Sequence, residues 1–496
     1  MLVEDAAPYE ALPPADVYNR WDFGRKPLTA LGIAAAAVTV LCFSALPSWP
    51  ATSATPRLEA ALQDGPADAV SSLPGLDGPL SSTHYAGHVL VNVTAGNRLF
   101  YWFAESKRVA DGESASEVPL IMWLNGGPGA SSLTGFLVEG IGPYTLDERG
   151  VGLKENPWSW HQIGHVLAWD QPAGAGFAFT ETPDGHVNSM PQMATELLAG
   201  LRGFYALHPY LAKAPLFVTG ESFAGKYIPA FCAHVHAVNG AGALPRINLV
   251  GLAIGNGVLK PLLQSRAVPD LALALGYADD KSVAAAQRQL ARCEEMLAAP
   301  KVDWQGAYRA CDAVESSIYG GPAAVPFIYD VRAATDTFGA LTATMSGWLN
   351  LPATRAALHV GDRLWSQMDG GKPGNPVSDV LWRDQIEDTA DETLRLLLEN
   401  YRTLFYAGNF DGSSCNQLGV ARTLAALEWS RADQWASAER CVWSMRGEPA
   451  GIVQTVDQLS WVVLINSGHL VPMDQPEHAY EMIRRLVDNS LPAICG

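Results

Sequence analysis

Ser222 stands where the sequence could form a nucleophile. The apolar run Leu216–Val218 and Gly220 precede it, and the small pair Ala224–Gly225 follows it. Small residues two before and two after a serine allow a sharp strand-to-helix turn that exposes the hydroxyl group. The N-terminus of the new helix then favours developing negative charge. The strict pattern has glycine where Ala224 stands, so an ordinary turn is the alternative.

A serine nucleophile needs a base and an acid that orients the base. Asp411 follows the apolar run Leu404–Ala407, and His469 follows the apolar run Trp461–Ile465. The order Ser222, Asp411, His469 is that of α/β-hydrolases, in which these residues lie at the carboxyl ends of parallel strands. Either residue alone could belong to a simple turn, but the three placements agree in order and in context. We therefore predict a catalytic triad.

A glycine-rich turn, Asn125–Ser132, follows the strand-like run Leu120–Leu124. In acyl-transfer enzymes of this fold, such a turn presents one amide of the oxyanion hole. We expect the other amide at Phe223, the residue after the nucleophile. A phosphate-binding loop is the competing interpretation, but the turn lacks the Gly-Lys-Ser/Thr ending of such loops.

Long motifs distributed along the chain together resemble the serine carboxypeptidase family. They are Trp123-Leu-Asn-Gly-Gly-Pro-Gly-Ala-Ser-Ser, Trp169-Asp-Gln-Pro-Ala-Gly-Ala-Gly-Phe-Ala-Phe, Gly220-Glu-Ser-Phe-Ala-Gly-Lys-Tyr-Ile-Pro, Ile254-Gly-Asn-Gly and Gly468-His-Leu-Val-Pro-Met-Asp-Gln-Pro. The similarity runs from about Leu73 to near the C-terminus. It implies an α/β-hydrolase fold with a mostly parallel central sheet, a helical cap insertion and removal of C-terminal amino acids from peptides. No cofactor is implied.

The same resemblance implies how a substrate would be held. Asn125, Gly126, Glu139 and Glu221 would bind the terminal carboxylate of the peptide, and Gly127 would be the second oxyanion donor. Three carboxyl groups close together cannot all ionise cheaply, so at least one glutamate should have a raised pKa. We therefore expect an acidic pH optimum.

The chain departs from the family pattern near the site. Ala130 stands where the family usually has a cysteine, and the expected partner region Leu364–Met368 also lacks one. Losing both halves indicates one missing disulfide. The loop after Asp411 is a residue longer than in some relatives that place a free cysteine beside the substrate, so the position of Cys415 stays open. The scarcity of charge around Phe223 favours apolar substrate side chains.

Two other functions are compatible with this scaffold. The first is an acyltransferase, but Glu221 beside the nucleophile favours a peptidase because a free carboxylate needs a dedicated partner. The second is a non-catalytic scaffold or chaperone, against which the complete triad argues. The formal net charge of −18 argues against a nucleic-acid partner. No metal-binding motif is present in the sequence.

The N-terminal region predicts entry into the secretory pathway. The uncharged run Leu28–Leu46 is nearly as long as the ~20 residues that span a bilayer. Basic residues precede it: Arg20, Arg25 and Lys26. We predict a signal-anchor that leaves residues 1–27 in the cytosol and the rest in the lumen. A cleaved signal peptide ending near Thr52-Ser-Ala54 is the alternative, and the long hydrophilic lead favours the anchor.

The remaining chain divides by composition. Residues 47–72 are rich in Pro, Ala and Ser and predict a linker. Residues 73–257 and 346–496 carry the strand-like runs of the hydrolase core, and 258–345 predict a helical cap. Predicted strands are Val89–Val93, Leu99–Ala104, Leu120–Leu124, Val166–Trp169, Leu216–Val218, Leu249–Ile254, Leu404–Ala407 and Trp461–Ile465, and helical spacing appears at Met193–Tyr205, Lys281–Leu297 and Glu477–Asn489.

An oxidising lumen permits disulfides, and Cys293 with Cys311 is the expected pair because it closes a local loop. Asn92-Val-Thr94 is a glycosylation sequon. We expect the vacuole or lysosome, or the cell exterior, as the final compartment. Nothing in the sequence indicates an oligomeric state.

Overall fold

The computed structural model describes residues 67–147, 150, 152–320, 325–368 and 376–495. All of them belong to one compact unit that begins at Ala60. The predicted tail and signal-anchor, residues 1–46, lie outside the described residues, as does most of the predicted linker. Within the described part, no helix is both long enough and apolar enough to cross a bilayer.

An eleven-stranded sheet forms the centre of this unit, and a separate two-stranded sheet pairs β5 with β6. The strands are β1 Ala69–Val70, β2 His84–Asn92, β3 Asn97–Ala104, β4 Leu120–Leu124, β5 Tyr144–Leu146, β6 Leu153–Glu155, β7 His165–Asp170, β8 Leu216–Glu221, β9 Leu249–Gly255, β10 Arg402–Gly408, β11 Cys441–Met445, β12 Glu448–Val456 and β13 Leu459–Leu464. The order across the large sheet is β1-β2-β3-β7-β4-β8-β9-β10-β13-β12-β11.

The middle of the large sheet is parallel. Strands β7, β4, β8, β9, β10 and β13 run in one direction, and antiparallel strands flank them on both sides. All five residues of β4 are buried, and successive side chains join hydrophobic clusters on opposite faces. A strand covered on both faces needs a continuous apolar run, which is why these strands were predictable. The predicted α/β-hydrolase architecture is confirmed.

Helices cover both faces of the sheet. They are α1 Lys107–Ala110, α2 Leu133–Leu137, α3 Met190–Leu207, α4 Ala224–Gly240, α5 Pro261–Ser265, α6 Val268–Ala274, α7 Asp280–Leu297, α8 Trp304–Tyr319, α9 Thr337–Leu349, α10 Pro352–Ala357, α11 Pro376–Val380, α12 Trp382–Ile386, α13 Asp391–Asn400, α14 Gln417–Ala425, α15 Ala432–Ser437, α16 Val471–Asp474 and α17 Pro476–Val487. Helices α3, α4, α13 and α14 pack on one face, and α2, α9 and α17 pack on the other.

The edge strands differ from the sequence prediction. The hairpin β11–β12 was not predicted, because β11 is short, both strands are only partly buried, and their register shifts near Ser444 and Pro449. Strand β2 begins at His84 rather than at Val89, because its first residues mix polar and small side chains. Antiparallel strands with one covered face carry a weaker hydrophobic signal than buried parallel strands.

The chain between β9 and β10 is largely helical. Helices α6, α7 and α8 pack around a small hydrophobic core of their own. A disulfide joins Cys293 of α7 to Cys311 of α8, which confirms the predicted pair. A second disulfide, Cys441–Cys495, was not predicted. The exact limits of the predicted cap, 258 and 345, remain a prediction.

Candidate active site

Ser222 lies in a strained turn between β8 and α4. Its backbone has a φ of 61°, which non-glycine residues rarely adopt and which typically occurs at functional sites. Its carbonyl oxygen accepts hydrogen bonds from the amides of Gly225 and Val258, each at 2.9 Å. Gly220 is needed because an added Cβ would lie 2.2 Å from the Leu124 carbonyl oxygen. The small residues around Ser222 therefore serve close packing of the turn.

Asp411 and His469 lie on the loops that follow the neighbouring parallel strands β10 and β13. His469 Nδ1 and Asp411 Oδ2 are 2.6 Å apart. Because a carboxylate oxygen is an acceptor, Nδ1 carries the proton and Nε2 is left as the acceptor of the ring. Both side chains are buried, so little water competes for this hydrogen bond.

Two residues whose roles the sequence did not indicate hold the Asp411 carboxylate. Asn256 donates from Nδ2 to Oδ2 at 2.7 Å. Ser413 donates to Oδ1 from its amide at 2.9 Å and from its hydroxyl at 2.7 Å. With His469, four donors fix the carboxylate. Asn256 occurs in a motif that carries the family resemblance, but the motif alone does not reveal which side chain the residue contacts.

The glycine-rich turn lies directly against the Ser222 turn. An added Cβ at Gly126 would be 2.3 Å from the Phe223 nitrogen and 2.8 Å from the Ser222 Cβ, so only glycine fits there. Gly127 has a φ of +107°, a conformation that favours glycine. The backbone amides of Gly127 and Phe223 thus belong to two loops in contact beside the serine hydroxyl.

Asp170, at the end of β7, anchors the glycine-rich turn. Its Oδ1 accepts hydrogen bonds from the Ser131 hydroxyl at 2.6 Å and from the Ser132 amide at 3.0 Å. Its Oδ2 accepts from the Phe177 amide at 2.8 Å. Burial raises the pKa of this carboxyl to about 7. Asp170 was part of a quoted motif, but its positioning role appears only in the structure.

The same turn meets a second loop where the family usually has a disulfide. Ala130 and Met368 form an isolated antiparallel β-bridge. The Ser131 amide donates to the Gln367 carbonyl oxygen at 2.9 Å, and the Trp365 indole donates to the Ser131 hydroxyl at 2.9 Å. Hydrogen bonds therefore join the two segments that lack cysteines.

Asn125, Glu139 and Glu221 form a buried cluster next to Ser222. The Asn125 side-chain oxygen accepts hydrogen bonds from the Trp123 indole at 2.7 Å and from the Gly135 amide at 3.0 Å. This fixes the orientation of the amide. Its nitrogen is therefore directed to Glu139 Oε1 at 2.8 Å and to Glu221 Oε1 at 3.3 Å.

The two glutamates hold their protons more tightly than usual. Glu139 is 1% exposed and Glu221 is 2% exposed. Burial raises the pKa of Glu139 to about 7. Burial and the neighbouring Glu139 raise the pKa of Glu221 well above its ordinary value. Among the described residues, no other group donates to the second carboxyl oxygen of either glutamate, and a proton on one carboxyl can be shared with the other. The pair can thus carry a proton in weakly acidic solution and donate it.

A cavity of about 160 Å³ opens in front of Ser222. Gly127, Ser222 and Phe223 line it, together with Ser413 and Tyr329. Ser413 donates to Asp411, and the Tyr329 ring lies 4.6 Å from the His469 ring, so Asp411 and His469 lie behind residues that line this cavity. The buried Cys415 lines the same cavity and has no disulfide partner among the described cysteines, which answers the question that its longer loop left open.

Comparison with solved structures supports the fold. The structure is similar to that of a prohormone-processing carboxypeptidase from Saccharomyces cerevisiae, with a TM-score of 0.74. The match covers 85% of this chain and 95% of that one at 23% sequence identity. At that identity, the likeness is evidence for the fold alone.

Comparison of sequences supports the family. A family model described as serine carboxypeptidase matches residues 74–489. Serine carboxypeptidase-like 49 of Arabidopsis thaliana is 34% identical over 415 residues, which cover 82% of this chain and 77% of that protein. Vitellogenic carboxypeptidase of Aedes aegypti is 31% identical over 457 residues, which cover 89% and 91%. The chain therefore belongs to the serine carboxypeptidase family and is a hydrolase of the serine carboxypeptidase type.

Proposed function

We propose that Ser222, His469 and Asp411 form the catalytic triad that releases the C-terminal residue of a peptide. His469 Nε2 takes the hydroxyl proton while Ser222 attacks the last peptide bond, and then gives it to the leaving amine. Water hydrolyses the acyl-enzyme by the same route. The 2.6 Å hydrogen bond between His469 and Asp411 supports this assignment, because it orients the ring and stabilises its charged form.

The amides of Gly127 and Phe223 are the proposed oxyanion hole. The support is the contact between their loops, which an added Cβ at Gly126 would destroy. Two amides held by the backbone need no reorganisation when negative charge develops on the carbonyl oxygen. Such donors contribute about 10²- to 10³-fold each in kcat.

The observation that carries this proposal is the buried Asn125–Glu139–Glu221 cluster attached to the nucleophilic turn. Glu221 immediately precedes Ser222, and Gly126 follows Asn125 against the same turn. A free terminal carboxylate would accept hydrogen bonds from the Asn125 amide and from a protonated glutamate. An internal peptide bond offers no such group, so the cluster favours an exopeptidase with an acidic optimum.

Replacing the nucleophile tests the proposal. We expect Ser222→Ala to lower kcat for a blocked dipeptide by about 10⁶-fold, because only oxyanion and binding contributions remain. Labelling by an organophosphonate serine probe should also be lost, while the circular dichroism spectrum and melting temperature stay those of the wild type. Ser437→Ala, on the exposed helix α15, is the matched control and should keep both activity and labelling. Hydrolysis within a few-fold of wild type in Ser222→Ala would refute the assignment.

We further propose that the enzyme works in the lumen of the secretory pathway or outside the cell. An uncleaved anchor at residues 28–46 would attach it to the membrane. Two disulfides support an oxidising compartment. Asn92 is the candidate glycosylation site.

The anchor has its own test in the full-length chain. We expect the protein to stay in membranes after carbonate extraction, with residues 1–27 accessible to protease from the cytosolic side. A soluble product that begins near Thr55 would contradict the anchor and indicate a cleaved signal peptide.

A further inference from the structure

Several separate segments of the chain form the walls of the cavity in front of Ser222. The nucleophilic and glycine-rich turns form one wall, and helix α8 of the helical segment after β9 forms another. Tyr308, Cys311, Asp312 and Glu315 of α8 line the cavity. Their spacing of three and four residues places them on one face of the helix. The disulfide from Cys311 to α7 holds this face in place.

This wall is acidic. Asp312 and Glu315 are the charged residues of the cavity lining in the described part of the chain, and no lysine or arginine lies among them. Asp312 is the more exposed and Glu315 the more buried of the two, and both carboxyls are partly shielded from water while still facing the cavity. Glu315 Oε1 accepts a hydrogen bond from the Ser414 amide at 2.5 Å, which fixes the direction of the carboxyl group.

Neither carboxyl has a cationic partner among the described residues. Burial raises the pKa of Glu315 to about 7 and also raises that of Asp312. No cation among the described residues lowers either pKa. A positive group bound between them would stabilise their ionised forms and replace lost hydration.

Part of the remaining lining suits the stem of a long side chain, and Ser265, Gln385, Ser413 and Ser414 add polar groups to it. The rings of Tyr308 and Tyr329 and the side chain of Ile328 border the same space. The methylene groups of lysine or arginine pack on apolar surface while the charged end reaches polar partners. An aromatic ring face also attracts a cation. An acidic substrate side chain, by contrast, would meet like charge.

We propose that this cavity binds a lysine or arginine side chain beside the scissile bond, with Asp312 and Glu315 as its ionic partners. The inference rests on the proposed function, because it assigns a substrate class to the same site. It differs from the apolar preference that the sequence around Phe223 favours. Asp312 and Glu315 lie on a helix about 90 residues after Ser222 in the sequence. Only the fold brings this helix close to the proposed nucleophile.

The test compares lysine with norleucine, which has the same stem without the charge. One series of blocked dipeptides varies the penultimate residue and a second varies the last residue, so the two arms show on which side of the scissile bond the pocket lies. We expect kcat/KM to be about tenfold or more higher for lysine in one series, the effect of a charged hydrogen bond. In the Asp312→Asn/Glu315→Gln variant, the lysine-to-norleucine ratio should fall to about one.

Controls separate charge from structure. Gln at 315 keeps an acceptor for the Ser414 amide, and circular dichroism with thermal melting checks folding. If the double variant misfolds, Asp312→Asn alone should fold, because Asp312 is the more exposed of the two acids, and it should still lower the ratio by removing one charge. Glu295→Gln on the exposed face of α7 is the matched control and should keep the wild-type ratio.

Three results would overturn the proposal. The first is a ratio of one or less in both peptide series for the wild type, and the second is a lysine advantage that survives in the double variant. The third is no hydrolysis of any peptide, including norleucine peptides, and that result would refute the proposed function itself rather than the charge preference alone.

Discussion

Glu139 and Glu221 determine how the proposed carboxylate site responds to pH. Together with the substrate, they bring three carboxyl groups next to one amide nitrogen of Asn125. Below the raised pKa of Glu139, about 7, the pair retains a proton that can be donated to the substrate. Above that pKa Glu139 ionises, and its negative charge repels the substrate carboxylate. Asn125 donates at every pH but cannot offset that repulsion.

Replacing Glu139 by glutamine should make binding less dependent on pH. For the wild type, we expect KM for a peptide with a free C-terminus to rise above pH 7, by up to about tenfold per pH unit when one proton is required. In Glu139→Gln the rise should be flatter, because the amide is a neutral donor at all pH values. Activity on the acid side should fall only modestly. The measurement is KM against pH for both enzymes.

The matched substrate control is the same peptide with a C-terminal amide. An amide needs no proton from the glutamates, so its KM should change less with pH in both enzymes. If acid and amide give parallel curves in the wild type, Glu139 and Glu221 do not contact the C-terminus.

The sequence predicted the proposed triad but not the residues that hold it. Ser222, Asp411 and His469 could be predicted from the sequence, because each follows an apolar run and the three occur in the order typical of α/β-hydrolases. Asn256 and Ser413 could not, because an asparagine or serine in a loop is compatible with many roles. Asn256 is 155 residues from Asp411 in the chain. Only the pairing of β9 with β10 brings the two loops together.

At the scale of elements, Asp170 links the end of β7 to two loops. Its carboxylate accepts from Ser131, from Ser132 and from Phe177, so it fixes both the glycine-rich turn and the segment that follows β7. Gly176 approaches so closely that an added Cβ would lie 2.0 Å from Asp170 Oδ2. The position of the Gly127 amide therefore depends on a carboxylate that we do not expect to touch the substrate.

Asp170→Asn should impair the chemical step through the position of this turn. An NH₂ group replaces one carboxylate oxygen and faces an amide donor, so at least one hydrogen bond is lost. We expect kcat to fall by about 10²-fold, the effect of misplacing catalytic groups by about 1 Å, while KM changes much less. The free energy of unfolding should fall by about 1–3 kcal/mol. Steady-state kinetics and urea denaturation measure the two effects separately.

Ser131→Ala is the control for Asp170→Asn, because it removes one of the three hydrogen bonds and should give a smaller loss of kcat. A normal kcat combined with a lower melting temperature in Asp170→Asn would show that the carboxylate stabilises the fold without positioning the oxyanion hole.

Elements differ in how clearly their sequences reveal them. Strand β4 was predicted with its observed limits, Leu120–Leu124, because all five residues are apolar and buried. The hairpin β11–β12 was missed, because the exposed face of an edge strand accepts polar residues that are equally common in loops. The disulfide Cys441–Cys495 was missed for a related reason. Its two cysteines are 54 residues apart, and sequence alone does not show that the C-terminus returns to the edge of the sheet.

For the molecule as a whole, the contact between Ala130 and Met368 joins segments more than 200 residues apart. Paired residues of antiparallel strands have Cα atoms about 4.5–5.5 Å apart, which is within the range of disulfides. A covalent link at this place would restrict the unfolded chain over a long loop.

We therefore expect the double variant Ala130→Cys/Met368→Cys to form a disulfide and to raise the free energy of unfolding by about 2–4 kcal/mol. Mass spectrometry of unreduced peptides would detect the link, and denaturation compared with Met368→Cys alone would measure the gain. Activity should be kept, because the backbone already holds the two segments together. Two free thiols in the folded double variant would contradict the inferred geometry.

The cavity is lined both by loops of the sheet and by helix α8, so substrate preference could change through α8 while the proposed catalytic residues stay the same. Asp411 and His469 of the proposed triad are buried, and substitutions that leave a buried polar partner unsatisfied are costly. The cavity face of α8 presents Asp312 to water, and exposed substitutions typically change stability by less than about 0.5 kcal/mol. A new side chain at position 312 would therefore alter which peptides are cleaved at little cost in stability, whereas Cys311 on the same face is needed for the disulfide. Related sequences could therefore differ in substrate preference while keeping the same chemistry. A protein engineer could search for new preferences by screening substitutions in this helix alone.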